Sequence, residues 1–91
     1  MSSKRLIISG RVQGVGFRDW MVTQAHRLGV DGWVRNRSNG TVEALVSGTA
    51  DAVEEIARHC RRGPRLAQVT QIIEEMAEPP EEPGFSARPN A

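Results

Sequence analysis

At 91 residues the chain has room for one small domain, residues 1–91, with a core of about two layers. Its 12 Lys plus Arg against 11 Asp plus Glu give a formal charge of +1, too small for the broad positive footprint of a nucleic-acid binder. A single cysteine, Cys60, excludes an internal disulfide, no apolar run approaches the ~18 residues of a membrane span, and no signal peptide follows Met1, so a cytoplasmic protein is expected.

Leu6, Ile8 and Val12 alternate with polar or opposite-facing residues, which predicts a first strand over about residues 5–13. Phe17, Met21, Ala25 and Leu28 then recur at helical spacing, and Gly29 supplies a stop signal. A second strand is expected over residues 32–37. Asn39-Gly40 is a strong hairpin signal, because both residues tolerate positive φ, and it makes residues 41–46 an antiparallel third strand. From Asp51 to Arg62, Val53, Ile56, Ala57 and Cys60 share one helical face, with Gly63-Pro64 as terminator. Residues 66–73 read as a fourth strand. The segment 79–84 reads as a loop before a short closing strand near Phe85, which Pro89 should cut short.

Strand, helix, strand, strand, helix, strand is a split βαβ order. It predicts an α+β ferredoxin-like sandwich, βαββαβ, with an antiparallel sheet carrying two helices on one face. In that fold strands one and two run parallel with another strand between them, so their carboxyl ends share one edge of the sheet. The loop after strand one therefore faces the end of strand two, where Asn36 stands.

That loop, Gly10-Arg11-Val12-Gln13-Gly14-Val15-Gly16-Phe17-Arg18, has the wiring of an anion site. A helix start leaves backbone N–H groups without intrahelical partners and is electropositive. Gly14 and Gly16 permit backbone conformations in which successive N–H groups turn into one concavity. Arg18 adds a planar fork of donors suited to phosphate. Two better-known phosphate loops do not fit. The dinucleotide fingerprint needs a third glycine where Asp19 stands, and Gly-Lys-Ser/Thr occurs nowhere in the chain.

These residues, with Gly29-Val30-Asp31-Gly32-Trp33-Val34-Arg35-Asn36 and Asn39-Gly40-Thr41-Val42-Glu43, resemble the acylphosphatases over nearly the whole chain. The resemblance implies that the loop holds phosphate through its backbone at Gly14, Val15, Gly16, Phe17 and Arg18, that Arg18 is catalytic, and that Asn36 positions the attacking water. It implies hydrolysis of small acyl phosphates. Gly16 falls at a variable position of the loop and Asp31 in a variable segment. The closing segment Phe85-Ser86-Ala87-Arg88-Pro89-Asn90 is less typical of the family.

The residues constrain the chemistry independently. No Ser, Cys, His or Asp precedes Arg18 in the loop, so no nucleophile is available for a phosphoenzyme and water must attack directly. The Asn36 amide orients water but is a poor base, which leaves the substrate phosphate to take the proton. With no acid on the leaving side, only a group that departs unaided is suitable, and a carboxylate is one; this favours acyl or carbamoyl phosphates over esters.

Other residues receive structural readings. An isolated Arg18 would be a surface arginine and an isolated Asn36 a turn former; the loop changes both. Asp19 stabilises the helix start. Trp20 and Trp33 are expected to pack, and Cys60 to lie in the core. His26 and His59 lack metal-ligand spacing, so neither metal nor cofactor is expected. Arg58, Arg61, Arg62 and Arg65 complement a helix end. A monomer with an open site is expected. The competing readings are a non-catalytic phosphate or carbamoyl-phosphate binding module, and an RNA-binding sheet, which would need exposed aromatics.

Overall fold

The computed structural model describes residues 1–91. Its elements are β1 (Ser2–Arg11), α1 (Phe17–Leu28), β2 (Asp31–Asn36), β3 (Val42–Gly48), α2 (Ala50–Arg62), β4 (Gln68–Met76) and β5 (Phe85–Ala87). The sheet order is β4-β1-β3-β2-β5. Strand β3 lies antiparallel to both β1 and β2, which are therefore parallel to each other, with their carboxyl ends at one edge.

The register explains the core. Leu6 and Val34 both pair with Ala44, while Ile8 and Asn36 both pair with Val42. Residues directly opposite share a face, so Leu6, Ile8, Val34, Val42, Ala44 and Val46 form one apolar surface. Phe17, Met21 and Ala25 of α1, and Val53, Ile56, Ala57 and Cys60 of α2, join the same buried cluster. Helix α2 is capped by Thr49, whose Oγ1 accepts from Ala52 N at 3.2 Å, so it begins one turn-forming residue earlier than the acidic start at Asp51 suggests.

Strand β2 begins and ends one residue earlier than predicted, at Asp31–Asn36, and β3 covers Val42–Gly48 in place of 41–46. Strands β1 and β4 depart further, because charged residues pair across them. Strand β1 begins at Ser2, not residue 5, and β4 runs over Gln68–Met76, not 66–73. Lys4 Nζ meets Glu74 at 2.9 Å and Arg5 Nη1 meets Glu75 at 2.8 Å, so the acids that look like the end of a strand extend the ladder. Leu66, counted into the fourth strand, is exposed in the turn before it. At its other end β1 stops at Arg11, not 13, where its pairing with β4 ends at Gln68; Val12 beyond it is still buried in the core.

Strand β5 is where the short closing strand is expected, but it pairs with β2 in parallel, Gly32 opposite Phe85 and Val34 opposite Ala87. The sheet is thus mixed, antiparallel through its first four strands only. The face away from the helices carries Trp33, and this corrects its reading as a packing residue. The Arg35 and Arg88 guanidinium carbons each lie 4.8 Å from the Trp33 ring centroid, so it is a platform for two cations. Trp20 does pack, against the core and edge-on to Phe17 with ring centroids 5.3 Å apart. On the open face Glu43 is buried between Arg5 Nε at 2.6 Å and Arg35 Nε at 2.7 Å. Burial alone would raise its pKa, but the two guanidinium hydrogen bonds and charges prevail and hold the carboxyl below the usual range.

Candidate active site

Between β1 and α1 the chain makes two left-handed turns. Gly14 has φ 72° and Gly16 has φ 77°, values that L residues with a side chain rarely adopt. Nothing lies within 4 Å of a methyl built on either, so these positions need glycine for its backbone freedom and not for space. Gly16 is also the residue before the first helical one, and its carbonyl accepts from Trp20 N at 3.0 Å. None of the backbone N–H groups from Gly14 to Asp19 donates to a carbonyl or side chain of the protein. Buried Phe17 pins the helix start beneath the loop.

Asn36 forms the facing wall. As the last residue of β2, opposite Val42, it projects on the helix-bearing face, and its carboxamide has no partner within the chain. A cavity of about 130 Å³ lies between the two walls, lined by Val12, Gly14, Gly16, Phe17, Arg18, Asp19 and Asn36. Of the predicted site residues, Gly14, Gly16, Phe17, Arg18 and Asn36 therefore meet at one cavity. Val15 does not line it; its side chain is half-buried against the core.

Three contributors were not legible in the sequence. Arg18 Nη1 donates to Asn90 Oδ1 at 3.3 Å and to the Arg88 carbonyl at 3.5 Å. The segment bearing these acceptors continues along β2 beyond β5: Arg88 N donates to Val34 O, and Ala91 N to Asn36 O, at 2.8 and 2.9 Å. Gln13 ties the loop to the β2–β3 hairpin, its Nε2 donating to Arg37 O at 2.8 Å and Thr41 O at 2.9 Å. Each contact joins residues distant in sequence, and no local pattern announces it.

The cavity offers donors and one fixed positive charge. Its lining includes no serine, cysteine or histidine. Cys60 is buried, 3.9 Å from Met21 Sδ, and burial pushes its thiol pKa up to about 12. His59 lies between Gln24 and Glu55, 2.9 and 2.8 Å away, and His26 meets the Phe85 carbonyl at 3.2 Å. These groups serve the helices and stand apart from the cavity. Asp19, in the first turn of α1, is the one carboxylate at its rim.

A ferredoxin-like sandwich with a small donor-lined cavity at the shared carboxyl edge of β1 and β2 defines the structural class. The acylphosphatase family model matches residues 4–87. An acylphosphatase of Acidiphilium cryptum is 69% identical over 88 residues, 97% of each chain. Among solved structures, acylphosphatase from Bacillus subtilis superposes with a TM-score of 0.91 at 35% identity, covering 97% of this chain and 99% of that one. An acylphosphatase from Coxiella burnetii gives a TM-score of 0.91 at 31% identity, covering 96% and 92%. The chain belongs to the acylphosphatase family, enzymes that hydrolyse acyl phosphates. No helix is long and apolar enough to cross a membrane.

Proposed function

We propose that this protein hydrolyses the carboxyl-phosphate bond of small acyl phosphates by direct attack of water, with Arg18 and Asn36 as its catalytic residues. One observation carries the reading: Gly14, Gly16, Phe17, Arg18 and Asp19, whose backbone N–H groups are partnerless, border one cavity of about 130 Å³ together with Asn36, whose amide is free. That volume suits a phosphoryl group and is well below the roughly 300 Å³ at which pockets for larger ligands begin.

With the phosphoryl oxygens on the loop N–H groups, the helix start and Arg18 neutralise charge as it spreads over them. Phosphoryl transfer asks a protein chiefly for such positioning and charge stabilisation. Asn36 accepts a hydrogen from the water with its carbonyl oxygen and directs the water's lone pair at phosphorus. As the P–O bond to the acyl group breaks, its electron pair leaves with the carboxylate, and the attacking water gives its proton to a phosphoryl oxygen. No acid is required on the leaving side, so phosphate esters, whose alkoxides leave poorly, are poor substrates. The substrate is a small acyl phosphate and the site in the monomer is complete.

Metal-free turnover of benzoyl phosphate, quenched in acid during the first turnovers, tests this. Fast hydrolysis with no phosphoryl group retained on the protein is expected. Stoichiometric phosphorylated protein would overturn direct attack, and phosphate binding without turnover would reduce the protein to a binding module.

A further inference from the structure

Gln13 immediately precedes the two left-handed glycine turns, yet it lines no part of the cavity. Its half-buried amide runs the other way, to the hairpin that carries Asn36. A primary amide nitrogen has two hydrogens, and both are used: one on Arg37 O at 2.8 Å, the other on Thr41 O at 2.9 Å. Arg37 directly follows Asn36, and Thr41 directly precedes Val42, the residue paired with Asn36 across the ladder. Arg37 N also donates to Thr41 O at 2.9 Å, and Gly40 N to Arg37 O at 3.1 Å, so Gln13 grips the two carbonyls that close the turn. No other side-chain hydrogen bond joins residues 12–19 to residues 36–41.

The consequence is geometric. The donors for the phosphoryl group lie on the loop, and the amide that directs the water lies at the end of β2. Their separation decides whether the water reaches phosphorus in line. We propose that Gln13 is a positioning residue that fixes the Asn36 amide relative to the loop, and that it acts on the reaction only through Asn36. This rests on the reading of Asn36 given above.

Gln13→Met keeps the length of the side chain and removes both donors. The loop glycines and the helix start are untouched, so inorganic phosphate should inhibit the variant within about three-fold of the parent. Misplacement of a reacting group by about 1 Å can cost about 100-fold. Accordingly kcat for benzoyl phosphate should fall by about 10- to 100-fold with KM little changed. In an Asn36→Ala background the same substitution should lower kcat by less than about two-fold, because contributions that act through one group are not additive.

A folded Gln13→Met with parental kcat would overturn the proposal, as would loss of phosphate affinity in step with kcat, which would make Gln13 part of the anion cradle. An undiminished loss in the Asn36→Ala background would overturn it too, while leaving the role of Asn36 intact. If Asn36→Ala itself retained full activity, the reading of Asn36 would fail and the proposal with it. Gln13→Leu, uncharged and likewise without the two donors, repeats the test should the methionine variant not fold.

Discussion

Arg18 and Asn90, 72 residues apart in sequence, meet at the rim of the cavity: Nη1 of the arginine donates to Oδ1 of the asparagine at 3.3 Å. The contact is long, and so is the second one, to the Arg88 carbonyl at 3.5 Å. Such contacts steer the guanidinium without competing strongly with an anion. They also leave its charge uncancelled, because the acceptors are neutral.

Asn90→Asp should therefore impair the site more than Asn90→Ala. A carboxylate there would pair with Arg18 and oppose an incoming dianion, raising KM and the inhibition constant of phosphate by about 3- to 30-fold, with the effect shrinking as salt is added. Steady-state kinetics at two ionic strengths check this. Equal behaviour of the two variants would mean that Asn90 does not influence Arg18.

Gly16→Ala tests the backbone of the loop. The methyl meets nothing within 4 Å, so any penalty comes from φ 77° alone, about 1–2 kcal/mol for an alanine. If the loop relieves this strain by turning, its N–H groups lose alignment, and phosphate affinity should fall together with thermal stability. Calorimetry of phosphate binding and a melting curve check the pair.

Glu43 provides a pH signature distant from the cavity. Its carboxyl is held below its ordinary pKa, so it adds stability above about pH 4.3, and this is lost as pH falls through the lower folded-state value. Glu43→Gln should cost about 1–3 kcal/mol at pH 7, since the two arginines it would leave are half-exposed and partly solvated. The difference between parent and variant should narrow progressively below about pH 4.3. Urea unfolding at a series of pH values measures it.

Cys60 should be inert to thiol reagents in the folded protein, because it is fully buried and its thiol pKa is about 12. Labelling should proceed only as fast as the chain opens, and should accelerate with denaturant. Rapid labelling of a folded, active protein would contradict the burial.

Much of the site was legible because topology does the assembling. A glycine-rich turn after the first strand and an asparagine closing the second must share an edge once strands one and two are parallel with a third between them. Arg18 and Asn36 needed only that inference to be placed together. Strand identity was harder at the margins. Glu74 and Glu75 look like the end of a strand until their ion pairs with Lys4 and Arg5 on the neighbouring strand are seen. Trp33 and Val34 are both apolar neighbours in one strand, so the sequence does not say which faces the helices; Val34 does, and Trp33 meets two guanidinium groups outside. Three residues of β5 carry too little pattern to show a parallel pairing. Gln13 and Asn90 act across 24 residues or more, through side-chain reach that no local periodicity encodes.

The most direct test compares the parent with folded Arg18→Gln and Asn36→Ala in metal-free hydrolysis of benzoyl phosphate, with p-nitrophenyl phosphate as the ester control. The account predicts rapid cleavage of the anhydride, little of the ester, and a fall of at least about 100-fold in kcat/KM for each variant. Comparable anhydride hydrolysis by either folded variant would contradict it.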